Sequence, residues 1–162
     1  MSSMQRPPRS AVFTTFRFSK ERGLFLFNQH SVRFQEHAEK LKINLPSEWK
    51  ETVLDQMKAL ESEFRDGLVR IEYTSKNTWN ISNRKYAMRN ETCDAITVSA
   101  KIWPKRIAGT KHAAWDVYNQ AKQQAENSGV DVALFVHEYV NAMVSRHFFQ
   151  SPKKPMSFVC HL

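Results

Sequence analysis

The sequence predicts an α+β fold, and three observations predict it. Apolar residues alternate at 11–18 and 68–74, take helical spacing between about 29 and 65, and alternate again at 95–102. Turn-forming residues separate these stretches, at Gly23, Asn44–Pro46, Gly67, Pro104, Gly109 and Gly129. After Gly109 a helical stretch leads into a short continuous apolar strand, the order of an α/β unit. The expected organisation is a flexible basic arm (1–10), an α+β domain (11–104), a linker (105–110), a partial second α/β domain (111–149) and an irregular tail (150–162).

Taken in order, Ala11–Phe18 is rich in Val, Phe and Thr and reads as a strand, Lys20–Gly23 as a turn and Leu24–Phe27 as a second short strand, which makes 11–27 a hairpin. Asn28 is the expected N-cap of a helix at about 29–43, where His30, Phe34, Ala38 and Leu41 fall on one face. Ser47 is placed to cap a second helix at about 47–65, with Trp49, Val53, Met57, Leu60 and Phe64 as its stripe and Gly67 as its end. Leu68–Thr74 puts Val69, Ile71 and Tyr73 on one face and Arg70, Glu72 and Thr74 on the other, a half-buried strand. A hairpin through Lys76–Asn80 follows, then a strand at Ala95–Ile102. Beyond the Pro104–Thr110 linker, Ala113–Ser128 reads as a helix on Trp115, Val117, Tyr118, Ala121 and Ala125, and Val130–Val136 as a buried strand.

Composition sets the class. With 41% hydrophobic and 25% charged residues, the 162-residue chain is close to the globular average and long enough to bury a core without disulfides. No apolar run approaches the roughly 18–20 residues needed to span a bilayer, so no membrane is expected. Cys93 and Cys160 form neither a disulfide framework nor a metal-ligand pair, and a reduced, cytoplasmic setting is expected. His30 and His37, seven apart on one helix without a third ligand, make no metal site. The net charge of +8 is spread thinly rather than clustered in a stripe, which argues against a nucleic-acid partner and fits a site for a small anion.

Three segments in order carry a resemblance: Val12-Phe13-Thr14-Thr15-Phe16-Arg17; Leu26-Phe27-Asn28-Gln29-His30-Ser31-Val32-Arg33-Phe34, running on to Leu45-Pro46; and Gly109-Thr110-Lys111-His112 with Gly129-Val130-Asp131-Val132-Ala133-Leu134. Together they resemble the class IV family of pyridoxal-phosphate enzymes, which includes D-amino-acid and branched-chain aminotransferases and aminodeoxychorismate lyases. The spacing from Lys111 to Asp131 is similar to that of the lyase branch. The resemblance implies the N-terminal domain of the D-amino-acid aminotransferase-like fold plus the start of its second α/β domain. It implies pyridoxal 5'-phosphate as cofactor, Lys111 as the Schiff-base and catalytic lysine, Arg33 on the cofactor's phosphate and His30 supporting that site. It also implies an amino-acid-like substrate and a homodimer. The activity implied is pyruvate release giving 4-aminobenzoate, as in folate synthesis, or amino transfer to a 2-oxo acid.

The residue chemistry agrees with those roles. A lysine that attacks a carbonyl must be neutral part of the time, so it needs apolar or cationic surroundings. Arginine offers a planar fork of donors and a permanent charge to a phosphate. Arg33 and Lys111 are therefore expected to face one cleft. Departures from the family pattern bear on turnover. Where the family has a glutamate for the cofactor's ring nitrogen, this chain has Ala142; a family asparagine is matched by His147; a substrate-binding arginine is matched by Ser75 or Lys76. The family's second domain is also longer than the chain leaves room for, so a truncated protein with weak or no activity is expected. The alternative is a small basic module, non-catalytic, that binds or interacts through Trp79 and Trp103 near Arg84, Lys85, Lys101, Lys105 and Arg106.

Overall fold

The computed structural model describes residues 6–60, 66–85, 92–136, 143–144 and 147–148. The chain divides into two compact units, Met1–Tyr86 with Trp103–Ala114, and Ala87–Ile102 with Trp115–Leu162.

The first unit is built on an antiparallel sheet of order β2-β1-β3-β4. Its spine is the pairing of β1 (Ala11–Ser19) with β3 (Asp66–Thr74), in register from Ala11↔Thr74 to Ser19↔Asp66. β2 (Gly23–Leu24) closes the first hairpin, through a turn in which Gly23 holds φ 65°. β4 (Trp79–Arg84) closes the second, from Leu68↔Arg84 to Tyr73↔Trp79. Period-two alternation sends Val12, Phe16, Phe18, Val69, Ile71 and Tyr73 to one face. There they pack with Phe34, Ala38 and Leu41 of α1 (Phe27–Leu41) and with Trp49, Val53 and Met57 of α2 (Trp49–Leu60). The other face is covered as well: Phe13 is 3% exposed and Glu72 6%.

That second burial corrects the sequence reading of β3, in which Arg70, Glu72 and Thr74 look solvent-facing. Glu72 is held by Arg6 and Arg70, each at 2.9 Å. Burial alone would raise the pKa of its carboxyl; hydrogen bonds and charge from the two arginines outweigh this and hold it below the usual value. A buried carboxylate is tolerated there because both its oxygens are paired.

Several boundaries differ from expectation, for local reasons. Asn28 is not the N-cap of α1. The strand hydrogen bonding runs on to Phe25, whose N–H donates to Arg17, so the chain turns at Leu26 in a left-handed conformation (φ 52°) and the helix starts at Phe27. The helix ends at Leu41 rather than about 43, because Lys42 also turns left-handed (φ 58°) and its N–H meets the Ala38 and Glu39 carbonyls. α2 begins at Trp49; the expected last turn, 61–65 with Phe64, lies outside the described residues. Gly67 is not a helix end but a residue of β3 opposite Phe18.

The second unit is a β-α-β arrangement. β5 (Ala95–Ser99) pairs in parallel with β6 (Val132–Val136), and α3 (Asp116–Asn127) connects them. Ala121 and Ala125 of α3 pack on Ala133 and Phe135, with Ile96, Val98, Val117 and Tyr118 around them. β7 (Met143–Val144) and β8 (His147–Phe148) extend the sheet antiparallel. The sequence reading groups residues 95–102 with the first domain, yet β5 sits in the second sheet. Alternation identifies a strand without naming its partner. The expected helix at 113–128 starts only at Asp116: Ala113 and Ala114 are buried in the first unit, where the Ala113 N–H donates to the Pro8 carbonyl. Among the described residues no helix is long and apolar enough to cross a membrane. Ala142 and the tail 150–162 lie outside the described residues.

Phe34 carries much of the first core, tilted against Trp49 at 5.2 Å and stacked on Trp79 at 6.2 Å between ring centroids. Phe34→Ala is expected to cost about 3–5 kcal/mol, read by urea unfolding. Val32→Ala, on the exposed side of the same helix, is expected to change stability by less than about 0.5 kcal/mol.

Candidate functional site

The site begins with an irregular segment laid along β1. β2 pairs with β1 only at Phe18 and Ser19, which leaves the other end of that edge open. The segment after Gly109 occupies it. Phe13 donates its N–H to the Lys111 carbonyl at 3.1 Å, and Val12 bridges His112 in antiparallel fashion. From the other side, the Lys111 N–H donates to Nδ1 of His37 on α1 at 3.1 Å. Both backbone groups of Lys111 are thus fixed. Lys111 is therefore not at a helix start, as its neighbours in sequence imply, but on a sheet edge in the same unit as Arg33.

One helical stripe of α1 faces this edge. His30, Arg33 and His37 are spaced three and four apart, so they share a side of the helix. Arg33 Nη2 donates to His30 Nδ1 at 2.9 Å, and Thr14 Oγ1 lies 3.0 Å from the same nitrogen. Arg33 Nη2 also reaches Thr14 Oγ1, at 3.5 Å. Because Nδ1 accepts from a guanidinium that is always charged, the proton of neutral His30 belongs on Nε2; the hydrogen bonds assign this tautomer. Phe16 packs against the ring, at 4.7 Å between centroids. Two polar atoms stay buried without a partner here, Arg33 Nε and Ser31 Oγ.

The electrostatics all point one way. Burial lowers the pKa of Lys111 to about 8, with Arg33 and Arg70 adding to the effect. Burial lowers that of His30 to about 4, helped by Arg33 and Lys111. His37 also falls to about 4, through burial and then Arg33, Lys40 and Lys111. Burial lowers the pKa of Arg33 as well. The Lys111 ammonium lies 5.3 Å from the centre of the Phe13 ring, and the Arg70 guanidinium 3.7 Å from it. The charges acting on Lys111 are cations, and the histidines beside it are neutral. Such a corner suits an anion, and Arg33 Nε is a donor that an anion would satisfy. A lysine neutral near pH 8 in the same corner suits an aldehyde. These residues fit a ligand with a phosphate and a carbonyl carbon.

Of the three residues singled out from the sequence, Arg33 and His30 are hydrogen-bonded, and Lys111 lies near enough for its charge to act on His30 and for that of Arg33 to act on it. Sequence reasoning gave no site role to Thr14, Phe13, His37 or Arg70. His37 had a signal, since it continues the His30–Arg33 stripe; Thr14 had one too, as a polar residue on the buried face of β1. Trp79 and Trp103 are not platforms for bases. Trp79 packs on Tyr73 and Phe34, and Trp103 edge-on against His112 at 4.4 Å. Among the described residues no group of three or more metal-ligating side chains comes together.

An edge-pinned lysine thus lies in the same unit as a helix that carries an arginine and two neutral histidines. The family follows from residues 11–143, which match the model of amino-transferase class IV, and the chain belongs to that family. Its members are pyridoxal-phosphate enzymes. The fold is similar to that of a candidate 4-amino-4-deoxychorismate lyase, with a TM-score of 0.69 and 20% identity over 90% of this chain and 63% of that one. It is similar to the branched-chain aminotransferase of Thermoproteus uzoniensis solved with norvaline, with a TM-score of 0.67 and 17% identity over 85% and 54%. It is also similar to a T.th. branched-chain amino acid aminotransferase solved with pyridoxamine 5'-phosphate, with a TM-score of 0.67 and 18% identity over 85% and 54%. The chain thus spans 63% or less of the length of these structures. No curated protein sequence matches the chain.

The depressed pKa values bear on stability. Unfolded, the histidines titrate near 6.5 and Lys111 near 10.5; folded, they titrate near 4 and 8. The unfolded chain therefore binds protons more tightly at all three, and stability falls as pH drops through each window. The melting temperature is expected to fall as pH is lowered from about 6.5 to about 4. Lys111→Met is expected to stabilise the protein by about 1–3 kcal/mol at pH 7, with the gain vanishing by about pH 10.5. Thermal melts of both proteins at pH 5, 7 and 10 check the two claims, and a Lys111→Met gain that is the same at every pH would refute the second.

Proposed function

We propose that this protein binds pyridoxal 5'-phosphate, with Arg33 on the phosphate, Lys111 as the residue that bonds the aldehyde, and His30 holding Arg33. The observation that supports this most is the meeting of Arg33 and Lys111 in one cation-rich corner where Arg33 Nε has no partner. When bound, the cofactor supplies an electron sink for bonds at the alpha carbon of an amino substrate. The chain's own residues do the rest. Arg33 offers donors to the phosphate oxygens, which its fork geometry suits. His30, neutral and accepting from Arg33, keeps that fork in place without adding a competing anion. Lys111, with a pKa of about 8, can take a proton from the substrate's alpha carbon and return it near neutral pH.

The reaction proposed is that of the lyase branch, pyruvate release from aminodeoxychorismate giving 4-aminobenzoate, or transamination of an amino acid. The amino-acid-like substrate, self-association and a cytoplasmic setting belong to the same proposal. Turnover is proposed to be weak. The family's carboxylate for the ring nitrogen is matched by Ala142, and without that charge the ring is a poorer electron sink.

Titration of the purified chain with pyridoxal 5'-phosphate is expected to produce an absorbance band in the near-ultraviolet or visible. Borohydride should remove the band and leave an adduct on the Lys111 peptide. Lys111→Ala should show no such adduct, and Arg33→Ala should weaken binding by about ten- to a hundredfold, the worth of a charge-assisted hydrogen bond. No band in the wild type refutes the cofactor reading. Robust release of pyruvate and 4-aminobenzoate, or robust transamination, that disappears in Lys111→Ala would refute the weak-turnover reading alone.

A further inference from the structure

Lys111 is held by its backbone from two sides, and only one of the two holds is a side chain. β1 supplies the Phe13 N–H to the Lys111 carbonyl, a hold that any sequence would give. α1 supplies His37 Nδ1 to the Lys111 N–H at 3.1 Å, a hold specific to the residue at that position. His37 is 8% exposed, and its only described partner is this amide. The bond requires an unprotonated Nδ1, and burial together with the charges facing His37 keeps it so: Arg33 and Lys40 on its own helix, Lys111 from the edge segment. Without an acceptor at this place the Lys111 amide would be an unsatisfied donor in a part-buried position, which costs stability. The segment would relieve that cost by moving toward water. The ammonium end would move with it, away from Phe13, Arg33 and Arg70, which together make the lysine easy to deprotonate.

We propose that His37 is the positioning residue for Lys111: through one hydrogen bond to the lysine's amide it fixes the edge segment so that Nζ stays in the corner of Phe13, Arg33 and Arg70. The proposal rests on Lys111 being the reactive lysine of the proposed function. It concerns a residue that neither contacts the phosphate-binding arginine by hydrogen bond nor stands among the three assigned site residues. A purely structural His37 would matter for stability only. A positioning His37 must also set the titration of the side chain that the held amide carries.

The test is competitive labelling of the full chain, without cofactor, by trace acetic anhydride across pH 6–11, read on the Lys111 peptide by mass spectrometry. Three proteins are compared: wild type, His37→Asn and His37→Leu. Asn places Oδ1 on Cγ, where His carries Nδ1, so it retains an acceptor; Leu removes it. Wild type should be half-reactive at about pH 8, and His37→Asn should stay within about twofold of it at pH 7.5. His37→Leu should shift toward the usual lysine value, with reactivity at pH 7.5 lowered about tenfold or more, since each pKa unit is a factor of ten. A folded His37→Leu protein that labels like wild type, or an Asn variant that labels like Leu, overturns the proposal. Should circular dichroism show that the Leu variant does not fold, the wild type decides. Imidazole 15N shifts must report the Nε2–H tautomer of His37, and the Lys111 amide must exchange slowly; the opposite tautomer or fast exchange overturns it. If labelling behaves as expected but pyridoxal 5'-phosphate gives no band, the cofactor reading fails and the positioning role stands.

Discussion

The hydrogen bond from the Phe13 N–H to the Lys111 carbonyl is the constraint on which the site depends. It joins the third residue of the pairing between the two long strands to a segment far later in the chain. β1 can accept that segment because β2 is too short to cover its edge, and β2 is short because the chain turns at Leu26 into α1. The same turn sets the rotation of α1, which decides that His30, Arg33 and His37 look toward β1 while Val32 looks to solvent. One short strand therefore has two consequences: an open edge that receives Lys111, and a helix whose stripe of one arginine and two neutral histidines faces it.

The corner so formed is held at a cost. Arg33, Lys111 and Arg70 are brought near one another, and burial makes the charges of Lys111 and Arg33 harder to sustain. Among the described residues the fold offsets this without putting a carboxylate against the lysine. Both histidines act as neutral acceptors, and Phe13 presents an aromatic face to both the Lys111 ammonium and the Arg70 guanidinium. The buried carboxylate of this sheet face, Glu72, is engaged by Arg6 and Arg70. In the proposed function, the local stability lost by burying Lys111 among cations would be a stability–activity trade-off at the level of single residues.

Much of this was legible in the sequence and some was not, for physical reasons that differ by residue. Alternation fixed β1 and β3 because one buried face leaves no freedom of register. The α1 stripe was legible for Phe34, Ala38 and Leu41. It also placed His30, which packs on Phe16 beside Arg33, but weighed His37 only as a metal ligand, because a histidine carries no hydrophobic signal that distinguishes a core acceptor from a surface residue. Arg33 and Lys111 were found through order and spacing, which encode the family, and not through local chemistry. The position of Lys111 on a sheet edge was not legible. Ala113–Trp115 continue the helical pattern of α3 smoothly, and only long-range hydrogen bonds to Pro8 and Phe13 peel the preceding segment away. The partner of β5 was illegible for a related reason: pairing is a tertiary choice that a short alternating strand does not record.

The division between what the backbone supplies and what side chains supply also limits what substitution can do. The edge that receives Lys111 is a property of strand lengths, so a substitution on β1 that keeps the Phe13 N–H keeps its donor. The titration of Lys111 is a property of the few groups around it, and it responds to changes at Phe13, Arg33, Arg70 and His37 with the edge intact. Binding a phosphate needs little more than Arg33 and its holder, whereas moving a proton at carbon needs a lysine whose neutral form is populated near a pH of about 8. In the proposed function the two tasks would rest on different residues, Arg33 with His30 for the anion and the His37–Lys111–Phe13 clamp for the base. In the proposed function, loss of the clamp would leave a protein that binds an anionic ligand and no longer handles its proton, so the clamp, more than the arginine, would be the part of the site that separates a binding protein from a catalyst.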